Sequence, residues 1–129
     1  MIVLDSSAAV DYLARLAPSQ WVAEQIELDP DLHAPHLLDI EVTGSLRRLL
    51  QASFITERRA RAALDDLAAL DLARYPHLLL LDRIWQLRRN LTAADAAFVA
   101  LAEALDAALV TTDRKLAGAP GVRARIVSP

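Results

Sequence analysis

The chain has 129 residues, of which 54% are hydrophobic and 24% charged, which is enough for one domain with a core and excludes a disordered protein. The absence of cysteine excludes disulfides and thiolate metal sites and fits a reducing cytoplasm, while the formal charge of −3 does not by itself indicate a nucleic-acid binder. No basic leader precedes the first apolar run and no apolar run is long enough to span a bilayer, so we expect a cytoplasmic protein without membrane association.

Short strand-like runs alternate with longer helical segments along the chain. In the first half we predict a strand over 2–4, a helix capped by Ser6 or Ser7 with Leu16 facing inward, a helix from 19 that Asp29-Pro30 ends, a strand over 32–34 and a helix over 37–50. In the second half we predict a helix from Thr56 to 70, a strand over 72–75, helices over 78–89 and 92–105, a strand around Val110, a helical turn over 114–116 and an edge strand over 124–127.

This alternation predicts the α/β class, in which residues 1–129 form a single domain. We expect a three-layer α/β/α sandwich with a central parallel sheet of four to five short strands. In such folds ligands bind beyond the carboxyl ends of the strands, where the strand order reverses. Asp5 and Asp113 each follow a predicted strand, so their side chains would face one another if those two strands are neighbours.

Four carboxylates are therefore candidates for one site: Asp5, Glu41, Asp95 and Asp113. Each also has an ordinary structural interpretation. Asp5 would serve as a helix cap, Asp113 as a loop residue, and Asp95 as the acid of a capping box that Thr92 opens.

Glu41 has small residues one helical turn further on, at Gly44 and Ser45, which would leave room above its carboxylate. Carboxylates crowded into one site repel each other unless a cation compensates them or some take up protons. Oxygen ligands without His or Cys indicate Mg²⁺ or Mn²⁺ rather than zinc. Metal ions held in this way catalyse phosphodiester cleavage, whereas the absence of a glycine-rich phosphate loop argues against a nucleotide triphosphatase.

At four places the chain resembles the PIN-domain nucleases, and among them the VapC-type toxins of bacterial toxin–antitoxin pairs. The matching segments are Met-Ile-Val-Leu-Asp5-Ser-Ser-Ala, Pro35-His-Leu-Leu-Asp-Ile-Glu41-Val-Thr-Gly-Ser-Leu-Arg, Leu91-Thr-Ala-Ala-Asp95-Ala-Ala-Phe-Val-Ala-Leu-Ala-Glu-Ala-Leu and Leu109-Val-Thr-Thr-Asp113-Arg-Lys-Leu. The resemblance implies a type II toxin that cleaves RNA with Mg²⁺ or Mn²⁺, forms a homodimer and is neutralised by a cognate antitoxin.

The resemblance also implies roles for single residues. The four acids would bind metal and carry out catalysis, and Ser7 and Thr111 would orient them by hydrogen bonds. Ala94 stands where many relatives carry an aromatic residue, and Arg114-Lys115 stands where some carry further acids, which would weaken a second metal site.

Several further residues are candidates for binding RNA or protein. Among the arginine clusters, Arg47 and Arg114 lie nearest the acidic motifs and are the first candidates for phosphate contacts, unless they are ordinary solvated residues. Asp39 is predicted to be a surface acid. A groove for an antitoxin helix, or simply a core stripe, would be lined by four apolar residues: Leu16, Trp21, Val22 and Ile26. The run Leu78-Leu79-Leu80-Leu81 with Ile84 and Trp85 indicates a dimer interface or a two-sided core.

Three other functions remain open from the residues alone. A phosphoacceptor receiver domain is also doubly wound with an acidic pocket, and Lys115 follows the fourth acidic motif, but no Asp ends a middle strand. A non-catalytic PIN-like binding module would keep the fold without the chemistry. A PIN nuclease of RNA processing would share the chemistry without being a toxin.

Overall fold

A computed structural model describes every residue from Met1 to Pro129 and contains five short parallel strands. The strands are β1 (Ile2–Leu4), β2 (Leu32–Pro35), β3 (Leu72–Tyr75), β4 (Ala108–Val110) and β5 (Ile126–Val127). The α-helices are α1 (Ser6–Leu13), α2 (Ser19–Leu28), α3 (Leu37–Gln51), α4 (Glu57–Ala69), α5 (Leu81–Gln86), α6 (Ala93–Leu105) and α7 (Arg114–Ala117). A 3₁₀ turn over Leu78–Leu80 leads into α5.

The strands form one sheet in the order β3-β2-β1-β4-β5, which places β1 at its centre. Leu4 is in register with Val110 of β4, and Ile2 is in register with Leu32 of β2. The chain therefore builds outward from β1 to one side, then crosses back and builds to the other side. The strand order reverses between β1 and β4, which confirms that the strands preceding Asp5 and Asp113 are neighbours.

Helices cover both faces of the sheet, as the predicted fold class requires. Parallel strands are joined by right-handed crossovers, so α1 to α4 lie on one face and α5 and α6 on the other. Helix α6 packs on β1, β2 and β4, and its residues 96–102 are all buried, which explains why that segment is almost entirely apolar. Phe98 of α6 and Leu4 and Leu109 of the central strands are among the largest fully buried side chains.

Several predicted boundaries are wrong for local reasons. Helix α1 ends at Leu13 because Arg15 adopts a left-handed conformation with φ of 56°, and Leu16 is therefore only half-buried. The cap of α1 is the Asp5 carboxylate, which accepts from the Ser7 N–H, rather than Ser6 or Ser7. Strand β5 covers only Ile126–Val127, and the helix predicted over 78–89 is shortened to the 3₁₀ turn and α5.

The 3₁₀ turn and α5 expose a large apolar surface instead of burying it. The exposed fractions are 69% for Leu78, 95% for Leu79, 48% for Leu81 and 68% for Trp85. The guanidinium of Arg88 lies 4.5 Å from the centre of the Trp85 ring. This exposure shows that these residues are not part of a two-sided core. The leucine patch, as it is called below, consists of Leu78, Leu79, Leu81 and Trp85. No helix in the chain has the length and apolar character that crossing a bilayer requires.

Candidate active site

Asp5 is buried at the centre of the sheet edge where β1 ends. Only 2% of the residue is exposed, and its backbone N–H donates to the Val110 carbonyl at 3.0 Å, which ties it to β4. One carboxylate oxygen, Oδ2, accepts from Ser7 Oγ at 2.5 Å and from Thr111 Oγ1 at 2.8 Å. The other, Oδ1, is buried without any hydrogen-bond partner. A buried unpaired carboxylate oxygen is costly, so it marks a position where a ligand is expected.

Ser7 and Thr111 join the start of α1 to the segment that follows β4. Each hydroxyl donates to Asp5 and accepts from one backbone N–H of the segment after β4: Ser7 Oγ from Thr112 at 3.2 Å, and Thr111 Oγ1 from Asp113 at 3.0 Å. Since each hydroxyl has one proton, both protons point at Asp5, and the 3.1 Å between the two hydroxyls is a contact only. The structure thus gives both residues positions from which they orient Asp5.

Asp113 and Asp95 are held by the helices that they begin. Asp113 caps α7, since its Oδ1 accepts from the Lys115 N–H at 2.8 Å. Asp95 lies in the first turn of α6, and its N–H donates to Oγ1 of the capping residue Thr92 at 3.2 Å. Thr92 caps α6 as predicted, whereas Asp113 is a helix cap and not the loop residue that the sequence suggested. Both positions leave the acids at the carboxyl edge of the sheet.

The acids interact electrostatically. Burial raises the pKa of the Asp5 carboxyl, and the hydrogen bonds from Ser7 and Thr111 oppose this only in part. Burial also raises the pKa of Asp95, and the negative charges of Asp5 and Asp113 raise it further. The charges of Asp5 and Asp113 therefore act on Asp95, and none of the three aspartates forms an ion pair with a basic side chain.

Glu41 joins Asp95 in a cavity of about 530 Å³ that runs along α3. Acidic side chains lie near the start of α3 and apolar ones near its end. The cavity is lined by Ser6, Ser7, Val10, Asp11, Leu16, Glu41, Ser45, Arg48, Leu49, Ala52, Phe54 and Asp95. No three carboxylate or histidine side chains are arranged closely enough to hold a metal ion as they stand. The unpaired Oδ1 of Asp5 and the raised pKa of Asp95 nevertheless fit a site that takes up a divalent cation.

Two cavity residues were ranked too low or missed by the sequence reasoning. Arg48, which belongs to the same arginine cluster as the first-ranked Arg47, lines the cavity, because it lies two turns after Glu41 on the same side of α3. Asp11 accepts from Thr112 Oγ1 at 2.5 Å and lies one turn after Ser7. Arg48 lies at helical spacing from Glu41, and Asp11 lies at helical spacing from Ser7. This spacing is the sequence signal that could have identified the two residues. Arg114 is exposed at the start of α7, directly after Asp113.

Of the residues proposed for an antitoxin groove or a core stripe, Val22 is fully buried, which confirms core packing for that residue. Leu16, Trp21 and Ile26 are half-buried against the core, and Leu16 also lines the acidic cavity.

Asp39 was predicted to be a surface acid but forms a partly buried ion pair. Its two oxygens accept from Arg74 Nε at 2.8 Å and Nη2 at 2.9 Å. The pair joins the first turn of α3 to β3, on the side of the helix away from Glu41, so Asp39 has a structural role.

Comparisons with known proteins agree with this architecture. The PIN domain family matches residues 2–122, and the chain belongs to this family, which excludes the receiver alternative. Ribonuclease VapC1 of Mycobacterium tuberculosis is 47% identical over 125 residues, covering 96% of this chain and 94% of that protein. Ribonuclease VapC9 of the same organism is 46% identical over 116 residues, covering 90% and 88%. The solved structure of VapBC2 from Rickettsia felis, bound to a promoter DNA fragment, superposes with a TM-score of 0.69 at 13% identity, covering 100% and 99%, and supports the fold.

Proposed function

We propose that this protein is a ribonuclease that hydrolyses RNA phosphodiester bonds with Mg²⁺ or Mn²⁺ at the carboxyl edge of β1 and β4. The observation that carries the proposal is the buried Asp5 carboxylate, with one oxygen fixed by two hydroxyls and the other unpaired, close to the charges of Asp95 and Asp113. The relatives at 46–47% identity, which are named ribonucleases, support the choice of substrate.

Asp5, Glu41, Asp95 and Asp113 would hold the cation. When bound, a divalent ion of this kind lowers the pKa of water and neutralises charge that develops on the leaving oxygen. Ser7 and Thr111 hold Asp5 in one orientation, and burial of Asp5 keeps bulk water away from its unpaired oxygen. A carboxylate of the set takes the proton of the attacking water, which is general base catalysis. Arg47 and Arg114 remain candidates for RNA contacts, and both are exposed to solvent.

The biological role would be that of a cytoplasmic toxin that a cognate antitoxin neutralises. The support is that the relatives are VapC proteins and that a structural neighbour was solved as VapBC2 on a promoter fragment. Growth arrest on expression, relieved by co-expression of a neighbouring gene product and absent for Asp95→Asn, is the expected result. Normal growth with an active enzyme would favour an RNA-processing role.

A homodimer would bury the leucine patch. Leu79 and Trp85 expose most of their side chains to water, which is unusual for adjacent large apolar residues unless they form an interface. Sedimentation equilibrium should show a dimer that Leu79→Lys dissociates. The matched control is Leu28→Lys, because Leu28 is 80% exposed at the end of α2, away from the patch. Dissociation by both variants, or by neither, would contradict this interface.

The decisive experiment is cleavage of total cellular RNA by the purified protein with Mg²⁺ or Mn²⁺, with EDTA, and by Asp95→Asn. We expect discrete fragments that disappear in EDTA and with the variant, because Asp95→Asn removes a charge but not the shape of the side chain. Asp66→Asn, on the exposed face of α4, is the matched control and should cleave normally. Cleavage that survives EDTA and the Asp95→Asn variant would contradict a metal-dependent reaction at this site. Absence of both cleavage and Mn²⁺ binding in calorimetry at millimolar metal would favour a non-catalytic PIN-like module.

A further inference from the structure

An exposed aromatic ring lies at the far end of the acidic cavity. Phe54 follows α3 and is 75% exposed, yet it lines the same cavity as Glu41 and Asp95. Apolar residues Leu49 and Ala52 lie beside it along the cavity. An isolated exposed aromatic ring needs no explanation on most surfaces, but one that opens into a candidate active site presents a flat face to whatever occupies that site.

The backbone fixes the position of this ring. Ser53 adopts a left-handed conformation with φ of 60°, Phe54 N donates to the Leu49 carbonyl at 2.9 Å, and Ser53 N donates to the Leu50 carbonyl at 3.1 Å. These are the two hydrogen bonds of a Schellman helix ending. That motif commonly includes an apolar contact between the residues at the positions of Phe54 and Leu49. The contact explains an apolar residue here but leaves most of the ring in solvent.

A free cation lies between the ring and the acids. The Arg48 side chain is exposed, forms no ion pair, and makes one side-chain hydrogen bond, to Ser45 Oγ at 2.9 Å. Its Cα lies two turns after Glu41, and its guanidinium points back to Ser45 Oγ, one turn after Glu41. One turn is about 5 Å along the helix axis, so the cation lies beside the acids and not among them. Arg48 is therefore placed for a phosphate next to the one that is cleaved.

We propose that Arg48 and Phe54 form a nucleotide subsite, in which Arg48 binds a phosphate flanking the scissile one and Phe54 stacks on an unpaired base. The proposal rests on the proposed ribonuclease function. Single-stranded RNA is recognised by a basic contact to its backbone combined with an aromatic side chain on which a base stacks. The cavity offers this combination along α3, starting from the acids. Every base has a flat face that can stack on the ring. The subsite therefore increases affinity for unpaired RNA but does not select one particular base.

The role of the ring is tested by measuring RNA binding through fluorescence anisotropy of a fluorescein-labelled single-stranded oligoribonucleotide of mixed sequence. EDTA is present, so that the RNA is not cleaved during the measurement. Phe54→Ala should weaken binding about five- to a hundredfold, the range for loss of one stacked base, and Phe54→Trp should bind as well as the wild type. Phe54→Leu keeps an apolar side chain but cannot stack, so it should bind as weakly as Phe54→Ala. Melting temperatures should stay unchanged for Phe54→Trp and Phe54→Leu, which keep an apolar side chain beside Leu49.

The test of the cation compares Arg48 with an exposed arginine at the opposite edge of the sheet. Arg48→Gln should weaken binding and lower the slope of log Kd against log salt by about 0.7, the loss of one phosphate contact to a single strand. Arg125→Gln is the matched control, because Arg125 is also exposed but directly precedes β5, outside the cavity and away from the carboxyl edge. Equal effects of the two variants would show that the cavity arginine has no special role.

The outcomes separate the subsite from the ribonuclease. If the wild type binds and cleaves RNA while the Phe54 variants match it, the subsite is wrong and the proposed function stands. If Phe54→Leu equals the wild type and Phe54→Ala loses a co-expressed protein partner instead, the ring is a protein contact and the subsite is wrong. A wild type that neither binds nor cleaves any RNA would overturn both proposals.

Discussion

The Asp5 carboxylate has two oxygens in very different surroundings. Oδ2 accepts from Ser7 and Thr111, whereas Oδ1 is buried without a partner. Burial raises the pKa of Asp5, and both burial and the neighbouring charges raise the pKa of Asp95. Without a cation, ionisation of these two carboxyls is therefore less favourable in the folded protein than in the unfolded chain. The stability of the protein without metal should consequently respond to the removal of a single charge.

The first prediction concerns Asp95→Asn in EDTA. The pKa of Asp95 in the folded protein is raised above the ordinary value of 3.8. Between 3.8 and the folded pKa, the native state binds more protons than the unfolded state, so stability falls as pH rises through this window. Asp95→Asn removes this loss. Urea denaturation should show the variant at least as stable as the wild type at pH 7, with the difference shrinking towards pH 4. A variant that is less stable at pH 7 would contradict the assignment, and Asp66→Asn should show no such pH dependence.

At the scale of elements, α3 organises the cavity. Glu41, Ser45 and Arg48 recur at helical spacing on one side, and the helix ends where Ser53 turns left-handed. The period of apolar residues predicted the helix itself within one residue at its end. It did not distinguish Arg47 from Arg48, because adjacent residues on a helix point in directions about 100° apart and both arginines are polar.

Gly44 of α3 was expected to leave room above the Glu41 carboxylate. In the structure, the side chain nearest to Gly44 is Arg48. A Cβ at this position would meet only Arg48 Nη1, at 3.6 Å, which is an ordinary contact. Gly44→Ala should therefore stabilise the protein by about 0.5–1 kcal/mol through the lower entropy of the unfolded chain. Urea denaturation checks this value, and RNA cleavage should be unchanged.

Gly121→Ala is the control for this substitution. Gly121 has φ of 81°, a conformation that alanine adopts only with strain, so this variant should lose about 1 kcal/mol or more.

A loss of activity in Gly44→Ala without a loss of stability would mean that the substrate passes closer to α3 than the cavity implies.

At the scale of the whole molecule, one ion pair links α5, α6 and the segment before β5. Arg83 donates to both oxygens of Glu103 at 2.6 and 3.0 Å and to the Gly121 carbonyl at 2.8 Å, and the Arg123 N–H donates to Glu103 at 2.8 Å. Burial raises the pKa of Glu103, but the hydrogen bonds from Arg83 and Arg123 outweigh it, so the pKa is lowered. The pair is only slightly exposed, so solvent screens it little.

Glu103→Gln should therefore destabilise the protein by about 1.5–3 kcal/mol at pH 7, because the hydrogen bonds to a charged group are weakened. A lowered pKa means that this stabilisation is present above the unfolded value of 4.5 and is lost as pH falls through the folded value. Wild type and variant should converge once the pH lies below the lowered folded pKa of Glu103. Thermal unfolding at several pH values measures this, and the exposed Asp65, paired with Arg61, offers Asp65→Asn as a weak control.

The sheet and its acidic edge were predictable because apolar β-branched runs end in Asp5 and Asp113, and parallel strands bring such ends together. The break at Leu78–Leu80 was not, because four consecutive leucines contain no helix breaker and their exposure contradicts the usual burial of leucine. The Asp39–Arg74 pair also needed the structure, since its partners lie on separate elements and no periodicity connects them. Sequence patterns report local periodicity, whereas these features depend on which elements are neighbours.

The central position of β1 has a consequence for how the protein is made. Asp5 is synthesised before β2, β3 and β4, whereas the Thr111 hydroxyl that donates to it and the Asp113 carboxylate follow β4. A nascent chain holding β1, β2 and β3 therefore has an open sheet edge and an incomplete acidic site. The acidic site can assemble only after the segment that follows β4 has been synthesised. A growing chain of this RNA-degrading enzyme would therefore stay inactive on the ribosome until that point.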